Sequence, residues 1–291
     1  MKILCFGSLN IDHVYKVEHF VRPGETIKCH DYFKTYGGKG LNQSVALVKS
    51  GAYVSHAGKI GSEGIFLKEY LEELNINTKY IELTDTPTGH AIIQVNKKGE
   101  NSITIYSGAN STITTTDIEN TLRDFSKNDH LLLQNEINNI SIIINIAYEI
   151  GMKIFFNPAP ITGDIVNYPL EKVNCFIINE IEGRELTNKK KPEDILLIMG
   201  KKFPEALTVL TLGENGVMAL SKDKTLKIPC FKVYAKDTTA AGDTFTGYLL
   251  SELSKNKPLK ESLVFASKAA SITVSRQGAA QSIPFRDEIK I

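Results

Sequence analysis

From His130 onward the chain repeats one rhythm: a short apolar run, one or two polar residues, then a stretch with helical spacing. The run His130–Gln134 delivers Asn135 and Glu136. A helical stretch, Ile140–Ile150, leads to the run Lys153–Phe156 and then to Asn157-Pro158-Ala159-Pro160. The run Asn174–Ile178 ends in Asn179, with Glu182 three residues on, and Ala206–Leu212 ends in Gly213-Glu214-Asn215-Gly216. Runs this short and this apolar suit strands buried on both faces, and their alternation with helices makes them neighbours in a parallel sheet. Few folds satisfy that pattern. It predicts an α/β protein with a central, mostly parallel sheet flanked by helices. The polar residues then all emerge at the carboxyl ends of the strands, where open sheets bind ligands.

The first part of the chain fits the same sheet and adds a second one. Ile3–Phe6 is an apolar run ending in Gly7-Ser8, with Asn10 and Asp12 close behind. A dinucleotide fold would carry G-x-G-x-x-G here; the single glycine argues against a dehydrogenase. From His13 to Tyr36, β-type residues mix with the turn signal Arg22-Pro23-Gly24, without helical period. Ala91–Asn96 and Asn101–Tyr106 alternate on either side of Lys97-Lys98-Gly99-Glu100, a hairpin signal. With the earlier β-rich stretch they predict a small antiparallel addition, closed by Gly108-Ala109-Asn110. Ser62–Leu74 reads as an amphipathic helix with Ile65, Tyr70, Leu71 and Leu74 on its face, and Thr116-Asp117-Ile118-Glu119 as a capping-box helix start.

Two stretches carry chemistry. Gly37-Gly38-Lys39-Gly40-Leu41-Asn42-Gln43 runs into a helix with Leu41, Val45 and Val48 on one face. It is no P-loop: Phe33 stands where the leading glycine belongs, and Gly40 replaces the Ser or Thr after the lysine. The glycines let backbone approach a small polar ligand, with Lys39 and Asn42 as donors; the plainer reading is a glycine-rich helix entry with a solvated lysine. The second stretch, Val233 to Gly247, passes from a strand-like piece through Asp237 and two threonines to Ala240, Ala241 and Gly242. Asp243 and a helical pattern follow (Phe245, Tyr248, Leu249, Leu253). Small residues before a helix leave backbone N–H groups uncapped, an anion site reinforced by the helix dipole. Asp243 there is either an ordinary first-turn carboxylate, worth ~0.3–1 kcal/mol, or a catalytic carboxylate beside a bound phosphoryl group.

Composition removes several classes. A net charge of +1 over 291 residues gives no basic field, so nucleic acid is not an expected partner. Cys5, Cys29, Cys175 and Cys230 are scattered without a C-x-x-C pair, which predicts neither a zinc site nor a disulfide framework and fits a reducing cytoplasm. No run approaches the ~20 apolar residues of a membrane helix, and Met1 leads straight into Ile3–Phe6, so no signal peptide is expected. There is no internal repeat or linker, so residues 1–291 are read as a single domain.

Taken together, these pieces resemble the ribokinase (PfkB-type carbohydrate kinase) family over essentially the full length. The resemblance is carried by Gly7 to Asp12, Gly37 to Gln43, Gly108-Ala109-Asn110, Asn157 to Pro160, Asn179 to Glu182, Thr211 to Gly216 and Asp237 to Phe245. The Gly-Lys form of the loop is nearer to ribokinase itself than to the wider family. What the resemblance implies is ATP-dependent phosphorylation of a sugar hydroxyl, for ribokinase the 5-hydroxyl of ribose. Fructose, another sugar or a nucleoside are the alternative acceptors. A sugar-binding regulator descended from a kinase would be expected to lack the base or the anion hole, and Asp243 and Gly242 are both present.

By the same resemblance, Asp243 matches the catalytic base, and Gly242 with Ala241 the anion hole. Asn10, Asp12, Gly38, Lys39, Asn42 and Glu136 match sugar-binding positions. Asn179, Thr211, Gly213, Glu214, Asn215, Gly216 and Gly242 match the ATP site. Ser267, with Lys268, stands near the adenine where His or Asn is common, and Leu41 replaces a smaller residue of the sugar loop. Glu182 matches a position tied to magnesium. Asp237, Thr239, Thr273, Arg276, Gly278 and Ser282 match a potassium site, several of them through backbone carbonyls. Residues 11–36 and 88–108 would form a β lid, through which such chains often pair as homodimers.

The chemistry is consistent with those roles. Phosphoryl transfer asks a protein for positioning and charge stabilisation. A sugar hydroxyl has a pKa of ~15 against ~3.9 for an ordinary aspartate. The base therefore orients the hydroxyl and takes its proton late, as bond formation makes it acidic.

Overall fold

In the computed structural model, which describes residues 1–222 and 224–290, the first strand lies inside the sheet rather than at its edge. β1 (Ile3–Phe6) is wholly buried. The chain then makes β2 (Asn10–Lys16), β3 (Asp31–Gly37), α1 (Lys39–Lys49), β4 (Val54–Ile60), α2 (Ile65–Glu73) and β5 (Asn77–Leu83). After β6 (Gly89–Val95), β7 (Asn101–Tyr106) and α3 (Thr115–Leu122) come β8 (His130–Gln134), α4 (Ile140–Ile150) and β9 (Lys153–Asn157). β10 (Cys175–Asn179), α5 (Glu180–Thr187), α6 (Pro192–Lys202), β11 (Leu207–Thr211), β12 (Val217–Ser221) and β13 (Lys224–Ile228) follow, then α7 (Ala241–Ser254) and α8 (Leu259–Val274).

The main sheet has nine strands in the order β13-β12-β11-β10-β9-β8-β1-β4-β5. All its pairings are parallel except β11–β12 and β12–β13. Side chains alternate between its faces. Ile3 and Cys5 join the core under α1, α2, α7 and α8, while Leu4 and Phe6 join the core under α3, α4 and α6. The chain leaves β1 toward β4 and β5, then returns to β8 on the other side and proceeds outward. The loops after β1 and β8 therefore part from each other, which opens a crevice at that switch point.

A second sheet, order β3-β2-β6-β7, starts at the rim of that crevice, because β2 begins at Asn10 and β6 at Gly89. It is not the wholly antiparallel addition expected: the long excursion from β2 to β6 makes their pairing parallel, and only the others are antiparallel. By register, Phe33, Val14, Ile93 and Ile103 form one row across it, on the same face as Asp12 and Ile105.

Three local expectations change. The α3 capping box is Thr114 with Asp117, not Thr116 with Glu119. Thr114 alone keeps the extended backbone a cap requires. In α2 the buried face is Leu67 and Leu71, and Ile65 lies exposed, because the turn before it is a separate 3-10 segment, Ser62–Gly64. Residues 229–240 hold no strand: Pro229, without an N–H, ends β13, and Tyr234 stands 84% exposed. Asp237 thus sits in an irregular loop, not at a strand end. All four cysteines are free thiols, and among the described residues no helix is long and apolar enough to cross a membrane.

Candidate active site

The crevice is built by pressing the glycine loop against the turn after β1. Gly38 caps α1 with φ +91°, and a Cβ on Gly40 would overlap the Ser8 backbone. The approach is laced by hydrogen bonds: Leu41 N–H donates to the Ser8 carbonyl at 3.0 Å and Gly40 N–H to Ser8 Oγ at 3.2 Å. Glu136, at the end of β8, accepts on one oxygen from Ser8 Oγ at 2.5 Å and from Lys39 N–H at 2.9 Å. Asn10 Oδ1 accepts from Asn110 Nδ2 at 2.7 Å, and Asn110 also grips Leu9 N–H at 3.1 Å. Asp12 lies over Gly37, where a Cβ would occupy the carboxylate's place.

Charges converge here. Burial, with Glu136 nearby, pushes Asp12 up to about 7. Burial also lifts Glu136 above the ordinary carboxylate range, outweighing Lys39 and its two hydrogen bonds. Lys39 is raised by the charge of Asp243 foremost, with Glu136 and Glu182 adding to it against the opposing effect of burial. Asn10 and Glu136 line a cavity of ≈ 620 Å³ bounded also by Ile105, Asn135, Thr162 and Tyr168. Lys39, Asn42 and Asp243 lie outside the lining of that cavity.

Asp243 opens α7 and is 7% exposed. Asn42 Nδ2 donates to its Oδ2 at 3.1 Å and Gln43 Nε2 to its Oδ1 at 2.9 Å. Ala240 takes a left-handed backbone, φ 59°, that turns the chain into the helix. Ala241 N–H is spent on the Thr238 carbonyl at 3.3 Å, whereas Gly242 and Asp243 N–H find no acceptor among the described residues. Those two donors, at the start of a helix of 14 residues, form a small anion cradle.

Farther along the same edge, Asn179 caps α5. Its Oδ1 accepts from Glu182 N–H at 2.9 Å, while Glu182 accepts from Asn179 N–H at 2.9 Å and Nδ2 at 2.8 Å. Burial raises the Glu182 carboxyl. Thr211 pairs with Asn179 in register and gives its hydroxyl to the Ile178 carbonyl at 3.3 Å. Gly213, Glu214 and Asn215 form one exposed turn. Gly216, φ +91°, closes it where a Cβ would overlap the Ile228 carbonyl. Ser267 is half-buried on α8, and Lys268 sets its ammonium 5.0 Å above the Phe231 ring.

Asp237 joins two loops. One oxygen accepts from Thr239 N–H at 2.9 Å and its hydroxyl at 2.6 Å, the other from Gly278 N–H at 3.0 Å. The other side chains of this group turn away: Thr273 to Thr244 at 2.9 Å, Arg276 to Glu288 at 2.5 Å, and Ser282 to the Ala279 carbonyl at 2.7 Å. A cation here would draw on Asp237 and on backbone carbonyls, a donor set that suits a large monovalent ion. No group of three His, Cys, Asp or Glu converges as a metal cage among the described residues. The lone carboxylate of Glu182 fits magnesium held chiefly by nucleotide phosphates and water.

Five polar residues of this site were not singled out in the sequence: Ser8, Gln43, Asn110, Gln134 and Asn157. Four of them lie inside the quoted motifs, all but Gln134, but spacing alone gave them no task.

A sequence profile described as "pfkB family carbohydrate kinase" matches residues 1–286. The ribokinase of Haemophilus influenzae is 37% identical over 302 residues, covering 98% of this chain and 96% of that one. That of Staphylococcus aureus is 35% identical over 303 residues, covering 99% and 98%. The Arabidopsis thaliana ribokinase, solved with ribose and ATP, superposes with a TM-score of 0.89 at 27% identity, covering 99% and 97%.

Proposed function

The chain belongs to the pfkB family of carbohydrate kinases, and from that membership we propose that it transfers the γ-phosphoryl group of ATP to the 5-hydroxyl of ribose. The observation that carries this reading is Asp243, buried at the helix start beside two unspent backbone N–H groups and the sugar-side pair Asn42 and Lys39.

Ribose lies against Asn10, Asp12, Gly38, Lys39, Asn42 and Glu136, whose carboxylates and amides accept and donate to its hydroxyls. Asp243 orients the attacking hydroxyl and accepts its proton as the phosphorus–oxygen bond forms. The N–H groups of Gly242 and Asp243, with Ala241 at the head of the helix, meet the charge on the phosphoryl oxygens; losing such a donor typically costs ~2.7–4 kcal/mol. ATP runs along the strand ends past Asn179 and Thr211 to the turn Gly213–Gly216, with Ser267 toward its base. Glu182 would help hold the magnesium that accompanies ATP, whose charge would offset that of the phosphates. Potassium would fill the Asp237 loop and stiffen the backbone that aims the anion cradle.

Residues 11–36 and 88–108 act as a lid that keeps water from the sugar. Phe33 and Ile103 stand exposed on its Asp12 face, and a second copy of the chain covers them. A dimeric mass at micromolar concentration is expected, and a strictly monomeric one would remove the pairing.

The acceptor is tested by a coupled assay of ATP turnover with ribose, 2-deoxyribose, fructose and adenosine. Ribose should give the highest kcat/KM. A clear preference for another acceptor would overturn the ribose assignment and leave the kinase chemistry in place.

A further inference from the structure

The two amides that meet Asp243 differ in what stands behind them. The Gln43 side chain is fully enclosed, at 0% exposure. Besides Asp243 Oδ1, its Nε2 reaches Asn157 Oδ1 at 3.0 Å, and its Oε1 accepts from Gln134 Nε2 at 2.7 Å. Asn157 in turn donates to the Ile177 carbonyl at 2.9 Å. Gln134 Nε2 also meets Cys5 Sγ at 3.5 Å, and that thiol donates to the Gly40 carbonyl at 3.4 Å.

An amide in a protein can exchange its oxygen and nitrogen by a half-turn; this one is locked. A carboxylate and a backbone carbonyl only accept. Asp243 therefore demands the N–H side of Gln43, and the Ile177 carbonyl demands the N–H side of Asn157, which leaves Asn157 Oδ1 facing the second Gln43 N–H. Gln43 Oε1 then points away from Asp243 and needs a donor, which Gln134 supplies. Gln134 does this while its own Oε1 stays buried without a partner among the described residues. Turning Gln134 over would set two oxygens face to face and press Gln43 to present its oxygen to Asp243.

We propose that Gln43 is a positioning residue for phosphoryl transfer: held in one orientation by Gln134 and Asn157, it fixes the angle of the Asp243 carboxylate. This rests on the reading of Asp243 as the base. The terminal torsion of an aspartate is soft, and donors on both oxygens pin it, so the remaining lone pairs face the crevice. The ends of two central strands, β8 through Gln134 and β9 through Asn157, thereby set the aim of a base carried on a different element, α7. A hydrogen bond donated to a carboxylate favours the ionised form. Its removal makes proton uptake easier, and the acid limb of the rate moves to higher pH.

The test is single-turnover phosphoryl transfer from pH 5 to 9 with saturating ATP and ribose, alongside KM for both and the melting temperature. The variants are Gln43→Met, Gln43→Glu, Gln134→Met and Asp243→Asn. Gln43→Met should slow transfer about 10- to 100-fold, the worth of a hydrogen bond to a charged group, and carry the acid limb up by about one pH unit. ATP KM should stay within a few-fold. Gln43→Glu should move the limb further, since adjacent carboxylates resist ionising together. Gln134→Met, which touches neither Asp243 oxygen, should give a smaller shift in the same direction. A purely structural network would lower melting temperatures and leave the limb in place. An unmoved limb in the folded Gln43 variants, with Asp243→Asn inactive, overturns the positioning role. If Gln43→Met does not fold, Gln43→Glu and Gln134→Met decide by the same criterion. A fully active Asp243→Asn overturns the proposal too, and assigns the failure to the base rather than to Gln43.

Discussion

Glu136 Oε2 accepts a hydrogen bond from the Lys39 backbone N–H at 2.9 Å, tying the end of β8 to the first residue of α1 across 97 positions of sequence. The same oxygen takes Ser8 Oγ, so one carboxylate holds both walls of the crevice. Removing its charge should loosen the sugar side and spare the chemistry. Glu136→Gln is expected to raise the ribose KM about tenfold, the scale of a charge-assisted hydrogen bond, with kcat within a few-fold. Equal losses in kcat and kcat/KM would instead place Glu136 in the transition state.

Asp12 gives the site a pH signature. Its carboxyl is pushed up to about 7 by burial and by Glu136, so it is largely protonated in the empty site at pH 6 and largely ionised at pH 8. A sugar hydroxyl donates best to the ionised form. The ribose KM should therefore fall as pH rises from 6 to 8, approaching tenfold per unit below pH 7. The sign for stability is opposite. A raised acid contributes fully below the ordinary carboxylate range, and its contribution is lost as pH climbs through about 7. Asp12→Asn should flatten both profiles, read by steady-state KM and by thermal melts; a KM slope that survives the substitution would remove Asp12 as its source.

Asp243→Asn should cut kcat by about 10²- to 10⁴-fold, the usual worth of a general base. Ribose and ATP binding, measured calorimetrically, should stay within a few-fold, because the amide keeps the shape and one acceptor. Activity near the wild-type level would take the base role from Asp243.

How much of this was legible before folding differs by residue. His130–Gln134 and Cys175–Asn179 centre on short apolar runs, and their length and alternation with helical stretches favour a doubly covered strand. Glu136 and Asn179 were legible because a polar residue right after such a run has to emerge at the strand's end. Gln43 and Gln134 were not, because the partners that give them meaning are 91 residues apart. In the sequence Gln134 is merely the last residue of a strand. The absent side chain of Gly7 says the same: a Cβ there would overlap Gln134 Oε1, a requirement set by packing across strands and invisible in spacing. The strand expected before Asp237 failed for a related reason. Val233 and Tyr234 are β-type residues, but the chain leaves the sheet at Pro229, after the edge strand β13, and β-propensity without a partner strand makes no strand.

The loop that replaces that strand leads to the last prediction, activation by potassium. Asp237 gathers Thr239 and Gly278 with its two oxygens, bringing the segment before α7 against the turn after α8. Lys236 and Asp237 N–H both reach the Val274 carbonyl, at 2.9 and 3.2 Å, so main-chain bonds also join the two segments. Three residues beyond Asp237 the backbone turns left-handed at Ala240 and presents the Gly242 and Asp243 N–H groups. A monovalent cation among the carbonyls of these loops would narrow the directions in which those donors point before reaction, which is how preorganised dipoles lower a barrier. Turnover should rise severalfold when potassium chloride replaces a bulky organic chloride at matched ionic strength, with the gain in kcat rather than in ribose KM. Asp237→Ala should abolish the gain. Equal rates in the two salts would remove the cation from the mechanism, and activation that persists in Asp237→Ala would move its site elsewhere.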